Sequence, residues 1–232
     1  EDIGNNLSTD FKDVDNDGDY DMFVGDFNGF VKFFENTGDE NNPIFTYIEN
    51  LENIDMSGYS IPCLADIDND NDNDLFIGQL NGNISFYQNN GGESGYNFNL
   101  VTDNFENINV GSRSAPDIID LDGDGDLDMV VGSQTGQLFY YENTGDINNY
   151  NFEYNENVDF PFLGRNSHPE FLNSKELIVG LSTGGLYYLA ACSHPDINSD
   201  NQINITDLLL IVDFIAEQLI NDEELCSYDL NI

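Results

Sequence analysis

Three stretches of this chain align without a gap, and each is built on alternating aspartates. The first runs Asp13-Val14-Asp15-Asn16-Asp17-Gly18-Asp19-Tyr20-Asp21 and continues through Met22-Phe23-Val24 to Gly25. The second runs from Asp66 to Gly78 and the third from Asp120 to Gly132, in the same pattern. A fourth copy, Ser167 to Gly180, keeps the flanks and has lost the acidic loop: Pro116 to Gly132 is 16 positions, Pro169 to Gly180 only 11. The closing glycines at 25, 78, 132 and 180 lie 53, 54 and 48 residues apart. Repetition at a near-constant period restricts the fold to architectures assembled from like units.

Each unit carries the same text after its glycine. A turn comes first (Asn28-Gly29, Asn81-Gly82, Thr135-Gly136, Thr183-Gly184), then an apolar and aromatic run such as Phe30–Phe34 or Gln137–Tyr141, then an Asn-rich turn such as Glu142-Asn143-Thr144-Gly145. Short β-rich runs between Gly and Asn turns read as antiparallel hairpins. A further strand per unit fits Ile44–Ile48, Phe98–Val101 and Phe152–Tyr154. About four strands in roughly 50 residues, repeated, is the pattern of a β-propeller blade. A sandwich would not repeat its sequence at a fixed period, and a β-helix has shorter coils. The expected fold is all-β, a propeller of four-stranded antiparallel blades over residues 1–191, with a small α-helical calcium-loop appendage over 192–232. Four visible units either close a small ring or form an arc of a larger one.

In each loop the aspartates at positions one, three and five converge on one side. Position six is a turn, position seven offers a carbonyl, and an aspartate at position nine closes the shell. So many hard oxygen ligands select calcium over zinc, and magnesium tends to keep its water. The expected ligands are Asp13, Asp15, Asp17 and Asp21; Asp66, Asp68, Asp70 and Asp74; and Asp120, Asp122, Asp124 and Asp128. Asp19, Asp72 and Asp126 are expected to bind through the main chain. Asn71 stands where the other loops have Gly18 and Gly125, and Asn tolerates the left-handed region better than most residues. A site is expected there too, with weaker binding.

The charge supports a cation. With 45 acidic residues against 5 basic ones, the formal net charge is −40. Such a chain repels phosphate, which excludes nucleic acid as a partner. Its acids fall at fixed places among Asn, Gly and apolar residues, unlike a disordered acidic tail. No run of about 18 apolar residues suggests a membrane span. The chain opens on Glu1-Asp2-Ile3 with no leader, and reads as a piece of something longer.

The D-x-D-x-D-G-x-x-D loop with its following hydrophobic run and Gly resembles the FG-GAP/VCBS repeat. Ser114-Ala115-Pro116 before the loop and Tyr140-Tyr141-Glu142-Asn143-Thr144-Gly145 after it look like the secreted bacterial branch. The resemblance covers roughly residues 7–190. It implies a calcium-stiffened propeller, secreted or on the cell surface, used for adhesion or for binding a glycan or protein ligand. The fourth unit departs from the pattern and receives no metal.

After Ala191 the text changes. Asp196, Asn198, Asp200, Asn204 and Asp207 hold positions one, three, five, nine and twelve of an EF-hand spacing, with Gln202 supplying a carbonyl at seven. A helix is expected over Asp207–Gln218. This segment resembles a dockerin module, which implies a cohesin-like partner. Its second half begins at Cys226-Ser227-Tyr228-Asp229 and stops at Ile232. Cys192 and Cys226 sit at equivalent places and could pair in an oxidising compartment. Cys63 falls in an expected inner strand and reads as a small buried hydrophobe.

No catalytic constellation stands out. The two histidines, His168 and His194, have no plausible nucleophile beside them in sequence, and the carboxylates that could form a glycosidase pair are accounted for as ligands or solvated surface. The expectation is a non-catalytic, extracellular calcium-binding module. The competing reading is a calcium-stabilised accessory domain of a secreted polysaccharide-degrading enzyme whose catalytic part lies elsewhere.

Overall fold

A computed structural model describes residues 4–48, 54, 56, 58–91, 95–158, 160, 162–182, 184–190 and 210–214. Four antiparallel four-stranded sheets, each following chain order, form the blades of a propeller. The first blade is β1 (Ser8–Lys12), β2 (Asp21–Gly25), β3 (Val31–Asn36) and β4 (Phe45–Ile48). The second is β5 (Ser60–Ala65), β6 (Asp74–Gln79), β7 (Ile84–Asn89) and β8 (Phe98–Thr102). The third is β9 (Ala115–Ile119), β10 (Asp128–Gly132), β11 (Leu138–Asn143) and β12 (Phe152–Tyr154). The fourth is β13 (His168–Asn173), β14 (Glu176–Leu181), β15 (Gly185–Ala190) and β16 (Leu210–Phe214). The expected propeller of four-stranded units is therefore present.

The last strand corrects the sequence reading. Leu210–Phe214 pairs with β15 from Leu186↔Phe214 to Ala190↔Leu210, where a helix was expected. An open β15 edge would expose a row of backbone donors and acceptors, and a segment containing Ile211 and Val212 suits the pleat as well as a helix. The proposed ligands Asp196–Asp207, and Cys192 and Cys226, lie outside the described residues.

The first strands stand innermost, β1 beside β5, β5 beside β9 and β9 beside β13. The core lies between blades, so the inner strands of an internal blade, such as β5, β6 and β10, bury both faces, while the outermost strand β8 stays largely exposed. Phe23 and Phe33 of the first blade pack on Leu64, Leu75, Ile77 and Tyr87 of the second. The other face of that second blade, Cys63, Phe76, Ile84 and Phe86, meets Met129 and Val131 of the third. Val130, Leu138 and Tyr140 then meet Leu177, Val179 and Leu189 of the fourth. Fully buried residues such as Leu75, Phe76 and Ile77 each contribute about 1.5–3 kcal/mol of burial. Among the described residues no comparable cluster joins the fourth blade to the first. Leu186 is 52% exposed, while its counterpart Ile84 is fully buried; Phe11 is 42% exposed against 2% for Leu64.

A backbone clasp repeats at each of the three packed junctions. The serine opening the next blade donates its N–H to the residue after the closing glycine: Ser60 to Asp26 O, Ser114 to Gln79 O and Ser167 to Ser133 O, each at 3.1 Å. The serine hydroxyl accepts in return from the same residue's N–H, at 3.0, 2.8 and 3.0 Å. The closing glycine lies against this clasp with no room for a side chain. A Cβ on Gly78 would sit 2.1 Å from Ser114 O and 2.8 Å from Pro116 Cδ, and Gly25 and Gly132 are equally tight. Cys63, a free buried thiol, occupies the position held in other blades by Asp10, Asp117 and Glu170. Burial, then the charge of Asp10, pushes its pKa well above the ordinary thiol range.

Candidate metal centres

The three acidic loops join the first and second strands of their blades, Lys12 to Asp21, Ala65 to Asp74 and Ile119 to Asp128. Two residues in each loop take left-handed backbone. At position six these are Gly18, Asn71 and Gly125, with φ of 98°, 73° and 103°. At position four they are Asn16, Asn69 and Gly123, with φ of 61°, 58° and 82°. Asn71 therefore does adopt the glycine-like conformation. The second left-handed residue went unread in the sequence, although Asn, Asn and Gly at that place are the residues it requires.

These turns curl the loop around its own carboxylates. Asp13 Oδ2 accepts from Gly18 N at 3.0 Å and Asp66 Oδ2 from Asn71 N at 3.0 Å. Asp15 and Asp122 accept from the amides of Asp17 and Asp124. The loop amides thus hold the acids in place and leave other oxygens facing one another. One oxygen each of Asp13, Asp15 and Asp17 falls within a mutual 4.8 Å, as do those of Asp66, Asp68 and Asp70. In the third loop the group so formed is Asp120, Asp122 and Asp128.

Several of the oxygens have no hydrogen-bond donor. Asp13 Oδ1, Asp19 Oδ1, Asp68 Oδ1, Asp74 Oδ2 and Asp126 Oδ1 are buried without a hydrogen-bond partner. A buried, unpartnered carboxylate oxygen is costly unless a cation supplies the missing interaction. Desolvation first, and then neighbouring aspartates, raise the pKa of Asp68 and Asp72. Desolvation chiefly pushes Asp126 up to about 6. The donor set is all oxygen, so it fits a hard divalent cation of calcium type. Asp19 and Asp126 were expected to offer only a carbonyl, yet each has a buried side-chain oxygen as well.

The aspartate at position nine does more than face the loop. Asp21 accepts from Val14 N at 3.2 Å and from Asn36 N at 2.8 Å. Asp128 accepts from Leu121 N at 3.0 Å, Asn143 N at 2.8 Å and the Tyr140 hydroxyl at 3.0 Å. Asp74 accepts from Asn89 N at 2.7 Å. Each therefore ties its loop to the end of the third strand. Burial, partly offset by these amides, pushes Asp21 up to about 6 and Asp74 and Asp128 to about 7.

The asparagines that complete this brace were not singled out as site residues. Asn36, Asn89 and Asn143 are 3%, 0% and 3% exposed. Each side-chain oxygen accepts two amides of the outer hairpin, those of Gly38 and Ile44, Gly91 and Asn97, and Gly145 and Asn151. Their recurrence in the Asn-rich turn text was the available signal. Asn143→Ala would leave two amides without acceptors, at about 1–3 kcal/mol for each that stays buried. We expect a loss of about 2–4 kcal/mol in urea unfolding with calcium present, and a loss below about 0.5 kcal/mol would contradict the brace.

Each of the first two loops also has an aromatic neighbour in the next blade. Burial, then the charges of Glu35, Asp21 and Asp15, raises the pKa of Tyr96, and burial, then those of Glu106, Asp74 and Asp68, raises that of Tyr150. Asn73 Nδ2 donates to Asp13 O across the first junction at 3.1 Å. The loops therefore lie at blade junctions, where a bound ion would act on the packing of two sheets.

Comparison with known proteins agrees with this geometry over the middle of the chain. The search of curated proteins found no match. The family model of the FG-GAP-like repeat matches residues 66–131, from the first ligand position of the second loop to the strand after the third. Residues 66–131, spanning the second and third acidic loops, are thus similar to the FG-GAP-like repeat and lie within a four-blade propeller.

Proposed function

We propose that this chain is a non-catalytic, calcium-binding propeller module that acts outside the cell and binds a glycan or protein ligand. The observation that supports it most is the set of three acidic loops, one in each of three successive blades, each holding a converging carboxylate group and at least one unpartnered buried oxygen. A rigid, ion-stiffened rim leaves the opposite face free for recognition. The FG-GAP-like match fits this reading.

The dockerin-like reading of residues 192–232, with its calcium and its cohesin-like partner, rests on the Asp196–Asp207 spacing alone. The strand at Leu210–Phe214 stands against its helix. The binding role is tested by presenting the calcium-loaded full chain to a glycan array and to extracellular protein extracts. Saturable, calcium-dependent binding is expected. Hydrolysis or elimination of a polysaccharide by the chain itself would replace this reading with an enzymatic one.

A further inference from the structure

The metal loops occupy one face of the propeller, where first strands end and second strands begin. At the other face a cavity of about 410 Å³ opens on the axis, lined by residues of all four blades. Its volume lies within the ~300–1,000 Å³ of small-molecule sites.

The cavity rim is built from one position repeated four times. Asn6, Tyr59, Arg113 and Asn166 each stand one or two residues before the first strand, and all four are left-handed, with φ of 49°, 61°, 52° and 53°. In three of them the backbone has a reason: the amides of Tyr59, Arg113 and Asn166 reach back to Phe27 O, Leu80 O and Gln134 O of the preceding blade. Asn accepts this conformation readily, whereas Tyr and Arg are strained in it. The two strained residues are the two that touch. The Arg113 guanidinium carbon lies 4.5 Å from the centre of the Tyr59 ring. The ring face covers one side of the guanidinium and leaves N–H groups on its other edges able to form a two-pronged contact.

Three polar atoms of the lining are buried without a hydrogen-bond partner: Arg113 Nε, Asn166 Oδ1 and Ser8 Oγ. In a chain with 45 acidic residues, none of the described residues lining this cavity is acidic, and one of only five Lys and Arg is here. The cavity is thus an acid-free, cation-bearing hole in a strongly anionic molecule. Arg113 calls for an anion with planar oxygens. Asn166 Oδ1 and Ser8 Oγ call for hydroxyl donors. The lack of a carboxylate leaves no counter-ion for an ammonium group, which disfavours amino acids. Ile61 and Leu181 supply apolar wall for the C–H face of a ring.

We propose that the axial cavity is a binding site for a hexuronate residue of an acidic glycan. Arg113 holds the carboxylate, Tyr59 covers one side of its guanidinium, and Asn166 and Ser8 receive the sugar hydroxyls. The imidazole of His168, also in the lining, adds a further hydrogen-bonding group. This assignment rests on the binding-module reading above and narrows it to one ligand class and one face.

The test is calorimetric titration of the calcium-loaded full chain with sodium D-glucuronate and sodium D-galacturonate, against D-glucose, D-galactose and sodium acetate. At least one uronate is expected to bind at least tenfold more tightly than its neutral sugar and than acetate. Arg113→Asn, which relieves the left-handed strain, is expected to weaken uronate binding at least tenfold without lowering Tm. Ser8→Ala should weaken it several-fold. Equal affinity for uronate and neutral sugar, or undiminished binding by R113N, would overturn the site. Glycan-array binding that survives in R113N while both uronates fail would overturn the cavity assignment and leave the binding module standing. A chain that binds no glycan and no extracellular protein would fail both.

Discussion

Chelating calcium from the full chain is expected to lower its melting temperature by roughly 15–30 °C. The size follows from linkage. One site that binds only the folded state adds about 2.7 kcal/mol when free calcium is a hundredfold above its dissociation constant. Three such blade sites add roughly 8 kcal/mol, comparable to the ~5–15 kcal/mol of a typical domain. At about 2–4 °C per kcal/mol for a chain of this size, the shift lies in the range given. The physical source is the acidic groups themselves. With no cation, carboxylates within 4.8 Å of one another face their own repulsion as well as desolvation. The check is a melting curve by circular dichroism in excess chelator and in millimolar calcium. Coincident curves would remove the ions from the account of stability.

The second large effect concerns a glycine at one aligned position in two blades. Gly78→Ala should cost about 3 kcal/mol, near the upper end for overpacking, because the new Cβ meets backbone: Ser114 O at 2.1 Å, within the clasp that joins the second and third blades. Backbone held by two hydrogen bonds cannot yield as a side-chain tip would. Gly180→Ala is the control. Its Cβ would have no neighbour closer than 3.9 Å, and Gly180 is absent from the positive-φ residues. There the substitution should be neutral within about 0.5 kcal/mol, or slightly stabilising through the lower entropy of the unfolded chain. Equal losses at both positions, measured by urea unfolding, would show that the glycine answers to its strand and not to the neighbouring blade.

This contrast also shows how far the sequence could be read. The strands were legible, because the short apolar and aromatic runs in Asp74–Gln79 or Leu138–Asn143 and the Asn-Gly and Thr-Gly turns between them are local features. The acidic loops were legible for the same reason. The blade junctions were only half visible. Ser114-Ala115-Pro116 and Ser167-His168-Pro169 recur in the text, but nothing local says that the serine clasps the residue after a glycine 36 or 35 positions earlier. The position-nine aspartates looked like simple ligands, since their second partners, the amides of Asn36, Asn89 and Asn143, are 15 residues away in sequence. Leu210–Phe214 read as helix because its apolar run fits either period, and the choice was made by an open strand edge. The axial cavity gave no signal of its own. Asn6, Tyr59, Arg113 and Asn166 share no one residue type, only a backbone angle that the text does not print.

The central claim is that each of the three blade loops holds one calcium ion. It is tested most directly by counting bound calcium on the full chain and on variants that disable one loop at a time, by equilibrium dialysis at saturating free calcium. Wild type should bind three ions in the blades, with any ion held by the C-terminal Asp196–Asp207 segment counted on top. Asp15→Ala, Asp68→Ala and Asp122→Ala should each remove one of them, and the triple variant three. An unchanged count in the triple variant would show that the ions lie elsewhere and would contradict the account.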